Sequence, residues 1–345
     1  MSNRLTEDPR IDPRIKAIFK NMPVVELPDA ASREQLLEET KSEQAKAMRK
    51  IFEQFLATCD TEEIAPSSGL TTRTEIVTSK PDGNKINIQF IRPDNNDRVP
   101  CVYYIHGGGM MNMSCYYGNY KAFGRMIAAN DVAVAMVDFR NALTPSSVEE
   151  VAPYPAGLND CISGLEYVAS NRDILNIDAG RIIISGESGG GNLTLATGLR
   201  LKREGKLDLI QGLYALCPYI AGIWPLPENP SSIENNGIFI NLHNNRGAMA
   251  YGIEELERKN PLAWPGFAND DDVKGLSPTI INVNECDPLR DEGINFYRLL
   301  FRNGVQARCR QVMGTIHGTE VFPICCPEIS REAARHIADF CAGRI

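Results

Sequence analysis

Arg181-Ile182-Ile183-Ile184-Ser185-Gly186-Glu187-Ser188-Gly189-Gly190-Gly191-Asn192-Leu193-Thr194-Leu195-Ala196 is the stretch that decides how this chain folds. Its first third is β-branched and apolar, which reads as a buried strand. Its last residues read as the opening of a helix. Between them the glycines around Ser188 permit a turn too sharp for bulky residues. A strand, a tight turn and a helix in this order lift the serine out of the chain. The helix start also turns its positive end toward that serine. A glycine-rich phosphate loop is the competing reading. It needs G-x-x-x-x-G-K-[ST] or G-x-G-x-x-G, and neither spacing is present.

Outward from this turn the same alternation repeats. Val102–His106 reads as a strand, followed by a glycine-rich loop and a helix over Tyr120–Ala129. Val132–Phe139 is a strand, with a helix over Ala156–Val168 after it. Leu213–Leu216, Thr279–Val283 and Ala307–Val312 are further strands, with helices predicted over Arg290–Asn303 and Ile329–Cys341. Apolar strands alternating with helices predict an α/β fold with a mostly parallel sheet covered on both faces. Thr74–Thr78 and Ile86–Ile91 flank Pro81-Asp82-Gly83, a hairpin signal that predicts an antiparallel edge. Residues 1–65 carry apolar residues at helical spacing but no core of their own. The alternation also breaks over residues 218–274, which are rich in Asn, Pro and Gly. A helix near Gly247–Arg258 is predicted within them.

Composition narrows the function. The 345 residues are 43% hydrophobic and 23% charged, the balance of a globular protein. A net charge of −8 argues against a nucleic-acid partner. The polar start of the chain has no signal-peptide core, and no apolar run reaches membrane-span length. Ten cysteines without C-x-x-C spacing read as reduced thiols, so a cytoplasmic location is expected.

The chemistry follows from G-x-S-x-G in that strand–turn–helix context, where Ser188 is the candidate nucleophile. His106-Gly107-Gly108-Gly109 follows a buried strand. Gly107 and Gly108, with Gly189, are the candidate amide donors to a developing oxyanion. A base must come from four histidines. His106 precedes the serine and is better placed to hold its own loop. His336 lies in a helix and reads as part of a solvated face, and His243 lies in the Asn-rich insertion. His317 follows a strand, where α/β sheets carry their sites. The acid comes from Glu285-Cys286-Asp287-Pro288-Leu289-Arg290-Asp291-Glu292. Asp287 is the choice and Glu285 the rival, while Asp291 and Glu292 read as charges complementing a helix start.

Taken together, these strings resemble the hormone-sensitive-lipase-like carboxylesterases of the α/β-hydrolase superfamily, over roughly residues 70–345. Gly186–Asn192 is similar to that family's G-D-S-A-G-G-N, and Asp287-Pro288-Leu289-Arg290-Asp291-Glu292-Gly293 is similar to its acid segment. The resemblance implies Ser188 as nucleophile, Asp287 as acid and His317 as base. It implies an α/β-hydrolase domain over 66–345, with residues 1–65 and the 218–274 insertion forming a helical cap. It implies a small ester substrate, short acyl chains, and neither cofactor nor metal. A homodimer through the Ala307–Val312 edge is a further expectation.

Three departures stand out. Glu187 replaces the usual Asp and Gly189 the usual Ala, so a looser turn is expected. Residues 141–152 lengthen the loop after Arg140, which is expected to reshape the pocket rim. Tyr116, Tyr117 and Trp224 are candidate pocket or cap residues. Two other functions share these features: an amidase or peptidase with the same triad, and a ligand receptor whose chemistry has been lost.

Overall fold

The structure, a computed structural model, describes residues 4–22 and 24–345. Residues 1–3 and 23 of the expected N-terminal segment lie outside the described residues. One sheet of eight strands organises the chain: β1 Leu70–Thr78, β2 Lys85–Pro93, β3 Val99–Ile105, β4 Ala133–Asp138, β5 Ile177–Glu187, β6 Gly212–Leu216, β7 Thr279–Cys286 and β8 Ala307–Ile316. Their spatial order is β1-β2-β4-β3-β5-β6-β7-β8. The β1–β2 and β2–β4 pairs are antiparallel and the rest parallel, so the hairpin forms one edge and β8 the other.

Strand pleat divides the core in two. Along β3, Cys101, Tyr103 and Ile105 face one layer, with Leu165, Leu199 and Leu300 from helices Ala156–Ser170, Gly189–Arg203 and Arg290–Arg302. Val102 and Tyr104 face the other, with Phe123 and Ile337 from helices Gly118–Ala128 and Pro327–Cys341. Burial on both faces explains why the central strands β3, β4 and β6 are largely apolar along their whole length, whereas the edge strand β8 is polar and partly exposed.

The N-terminal helices have no core to themselves: Leu36, with Ala30, packs on Ala250 of the insertion in a small third cluster. Leu5, Ile15, Phe19 and Leu56 join the second layer. Their polar groups reach the 218–274 insertion: Arg10 pairs with Glu234, Arg246 pairs with Glu39, and Ala30 N–H donates to Asn245 Oδ1 at 2.8 Å. The helix predicted over 247–258 is two short ones, Arg246–Tyr251 and Ile253–Glu257. Distant partners take the carbonyls at the break. Tyr154 N–H donates to Tyr251 O and Trp264 Nε1 to Gly252 O.

Parallel strands place their carboxyl ends on one side. The Gly107–Gly109 loop after β3, Ser188 after β5, Asp287 after β7 and His317 after β8 all leave the sheet there.

Candidate active site

Ser188 sits between β5 and helix Gly189–Arg203 with φ +57° and ψ −119°. A non-glycine residue in this region costs about 1–3 kcal/mol and persists only where its surroundings hold it. Here the Ser188 N–H donates to Leu216 O at 2.9 Å, and the Ser188 carbonyl accepts from the Asn192 and Tyr219 amides. The turn also packs hard against β3. A Cβ at Gly190 would lie 2.0 Å from Ile105 O, so the sharp turn requires glycine there.

Two side chains line up behind the serine. His317 Nε2 is 2.9 Å from Ser188 Oγ, and His317 Nδ1 is 2.8 Å from Asp287 Oδ2. The second Asp287 oxygen accepts the Leu289 N–H at 2.9 Å, which fixes the carboxylate's orientation. With Nδ1 donating to Asp287, Nε2 is free to accept the serine proton. Burial disfavours a charged imidazole, but the Asp287 carboxylate outweighs it and holds His317 above its ordinary range.

The other candidates are occupied elsewhere. Glu285 accepts the Gly314 N–H at 2.7 Å. Asp291 pairs with Arg290 and accepts the Ser231 N–H. Glu292 lies in the first turn of helix Arg290–Arg302, as expected, but its charge does not simply complement the helix start. It is buried and accepts from Ile220 N–H at 2.7 Å, Ala221 N–H at 3.1 Å and Trp224 Nε1 at 2.7 Å. That binds the first residues of the insertion to helix Arg290–Arg302. His336 is likewise no part of a solvated face. It is half-buried with Nδ1 2.9 Å from the Tyr214 hydroxyl, and burial pushes it down to about 4. His243 Nε2 bonds Ser232 O. His106 stacks on Phe139, with Nδ1 2.9 Å from Gly107 O and Nε2 3.4 Å from Asp138.

Glu187 overturns two expectations. Its longer side chain does not loosen the turn: one oxygen accepts from Tyr104 O–H at 2.6 Å. The other accepts from Tyr120 O–H at 2.5 Å and Gly107 N–H at 2.7 Å. Burial pushes this carboxyl up, and the two tyrosine hydroxyls pull it back down. Gly107 therefore cannot serve as an oxyanion donor, because its N–H is committed to Glu187. The amides of Gly108, Gly109 and Gly189 have no acceptor among the described residues. Gly108 and Gly109 line the cavity, and both have positive φ, +90° and +62°.

Gly189 is not a source of slack either. A Cβ there would lie 2.5 Å from Met110 N and 2.7 Å from Gly109 N. The glycine admits a close approach of the loop that carries Gly109 and Met110.

Ser188 and His317 open into a cavity of about 330 Å³. Its walls are Phe52, Met111, Met113, Tyr120, Tyr219, Phe239, Leu242, Val321 and Phe322, with Asn112 and Asn241 as polar members. Tyr116, Tyr117 and Trp224 do not line it. Tyr116 bonds Thr74, and Trp224 stacks on Tyr219 behind the wall. Residues 141–152 do not form the rim. They support it from behind, with Ala142 and Leu143 N–H donating to Met110 O and Met111 O. Tyr104 and Tyr120 carried no sequence signal; only their proximity to Glu187 gives them a role. The one group of three His, Cys, Asp or Glu side chains close enough to hold a cation, among the described residues, is Cys217, Asp287 and His317.

A family model described as alpha/beta hydrolase fold matches residues 102–321. The solved structure of esterase Est22 is 67% identical with a TM-score of 0.98, covering 99% of this chain and 100% of that one. Brefeldin A esterase, described as a bacterial homologue of human hormone sensitive lipase, is 34% identical with a TM-score of 0.85, covering 99% and 95%. Carboxylesterase NlhH of Mycobacterium tuberculosis is 27% identical over 249 residues, 71% of this chain and 74% of that protein.

Proposed function

The chain belongs to the α/β-hydrolase family, among the serine carboxylesterases related to hormone-sensitive lipase, and from that premise we propose that it cleaves short-chain carboxylic esters through an acyl-enzyme on Ser188. His317 is the general base and Asp287 orients it and stabilises its charge. His317 Nε2 takes the hydroxyl proton as Ser188 Oγ attacks the ester carbonyl. The amides of Gly108, Gly109 and Gly189 stabilise the oxyanion. The tetrahedral intermediate collapses and expels the alcohol, which leaves with the proton from His317. Water, deprotonated by the same nitrogen, then attacks the acyl-enzyme and releases the acid.

The observation that carries this reading is the relay from Ser188 Oγ through His317 to Asp287, with steps of 2.9 and 2.8 Å. The cavity supports short acyl chains, since 330 Å³ lies at the low end of the about 300–1,000 Å³ usual for ligand pockets. Residues 1–65 and 218–274 act as the cap over the domain 66–345. Phe52 from the first segment and Phe239 and Leu242 from the second supply walls of the same cavity.

A fluorophosphonate that mimics the acyl group tests the assignment. One adduct per chain is expected, located at Ser188 by peptide mapping, and slowed strongly in His317→Ala. An adduct elsewhere, or labelling that ignores His317, overturns it. A chain-length series of aryl esters should peak at acetate to butyrate; a peak at long chains would contradict the short-acyl reading.

A further inference from the structure

A thiol lies directly behind the serine and histidine. Cys217 follows β6, and its sulfur reaches the same junction as Asp287 and His317. One ligand atom from each of the three lies within 4.8 Å of the other two, and all three residues are buried. The backbone fixes this placement. Cys217 N–H donates to Asn282 O at 2.7 Å, tying it to β7, and the preceding Leu216 O takes the Ser188 N–H. Its φ of +33° is outside the ordinary regions for a non-glycine residue, so the thiol is held there by its neighbours.

We propose that Cys217, His317 and Asp287 form a site for a soft divalent cation, of the zinc or cadmium class, whose binding switches the hydrolase off. The donor set decides the class. Thiolate, imidazole and carboxylate together suit zinc and its softer congener, whereas magnesium and calcium need several oxygen ligands and find one carboxylate here. Metal–ligand bonds of about 2.0–2.3 Å place tetrahedral ligand atoms about 3.4–3.8 Å apart. The cluster therefore closes on a cation by small side-chain adjustments. His317 lines the catalytic cavity, which provides the way in and leaves a coordination position for water.

Protons balance the binding step. The thiol gives its proton to solvent, and burial, which pushes that thiol up to about 11, makes the release part of the cost. The imidazole commits a nitrogen lone pair to the metal, the proton on that nitrogen passing to the other ring nitrogen or to solvent, and a coordinated ring no longer relays the serine proton. No bond between heavy atoms of the protein forms or breaks, and the proton and metal steps both run backward, so the inhibition is reversible. Binding itself depends only on the cluster; the loss of turnover rests on His317 being the base.

Cadmium is the probe, because a cadmium–thiolate bond absorbs in the ultraviolet. Binding is read in Ser188→Ala, which keeps all three ligands, against Ser188→Ala/Cys217→Ala. Inhibition is read in the wild type against Cys217→Ala and Cys217→Ser, each relative to its own metal-free rate, with circular dichroism checking that each variant is folded. One absorbing equivalent is expected, missing from the Cys217 variant. The inhibition midpoint should rise by roughly tenfold or more without Cys217, since losing even an outer-shell partner costs about 10–100-fold in metal affinity. A chelator should restore the rate. Equal inhibition of wild type and both Cys217 variants, or an absorbance unchanged by Cys217→Ala, overturns the site. A Cys217-dependent band without inhibition upholds the site and overturns His317 as the base.

Discussion

Replacing Glu187 with alanine tests how the oxyanion loop is aimed. The carboxylate accepts from Gly107 N–H, Tyr104 O–H and Tyr120 O–H at 2.7, 2.6 and 2.5 Å, all in a buried space. Alanine strands these donors. Gly107 N–H keeps a 3.0 Å contact to the Tyr120 oxygen and the Tyr120 hydroxyl keeps only a weak 3.8 Å contact to Met113 Sδ, so about two are left without a strong acceptor. At about 1–3 kcal/mol for each, the fold loses about 2–6 kcal/mol. The catalytic effect is separate. Gly108 and Gly109 follow directly on Gly107, so a loop released at Gly107 misaims their amides. Losing one oxyanion donor costs about 10²–10³ in kcat. Thermal unfolding and steady-state kinetics on a soluble aryl butyrate measure both effects. We expect a lowered Tm, a kcat down by about 10²-fold and a KM within severalfold of wild type. Glu187→Gln keeps an acceptor for Gly107, and the tyrosine hydroxyls can rotate to accept from its amide, so it should recover most of kcat. An alanine variant with lowered Tm but wild-type kcat, measured while folded, would refute the reasoning.

Further predictions address neighbouring parts of the site. Gly189→Ala puts a Cβ 2.5 Å from Met110 N, so the loop must shift, and an ångström-scale displacement costs about 10²-fold in rate. Unchanged kinetics would show that the loop yields freely. Asp287→Asn should lower kcat by roughly 10³–10⁴-fold, while Glu285→Gln stays near wild type. Because the Asp287 carboxylate raises His317 and the neutral imidazole is the active form, kcat/KM falls as pH drops through the His317 value. Asp287→Asn should move that acid limb to lower pH, and an unmoved limb would separate Asp287 from His317. Burial pushes the Glu292 carboxyl up to about 8, against the pull of the Ile220 amide, the Trp224 indole and the Ala221 amide. Its folded value exceeds its unfolded one, so its contribution to stability is full below the unfolded value and lost as pH rises through about 8. Melting curves across that range should show a falling Tm that Glu292→Gln flattens.

The sheet was legible because burial on both faces leaves continuous apolar runs in its central strands, and helices between them leave their own period. Ser188, Asp287 and His317 were legible because each sits where a strand ends, a position that sequence marks. What sequence could not show was proximity between strands. Nothing near residue 104 or 120 announces that two tyrosines converge on Glu187, so its length looked like slack and Gly107 looked free. The burial of Glu292 was hidden for the same reason. Its position in the first turn of a helix is visible, but the insertion residues that cover it are about 70 positions earlier in the chain. Cys217 was one of ten thiols with nothing to single it out until the ends of β6 and β8 brought it to His317.

Ser188→Ala is the most direct measurement of the central claim. The purified variant and the wild type should be compared on a chromogenic butyrate ester, with matched melting curves. The account predicts an intact fold and a rate lower by roughly 10³-fold or more, the residue being what the oxyanion amides and binding supply without a nucleophile. Hydrolysis by Ser188→Ala at the wild-type rate would contradict it.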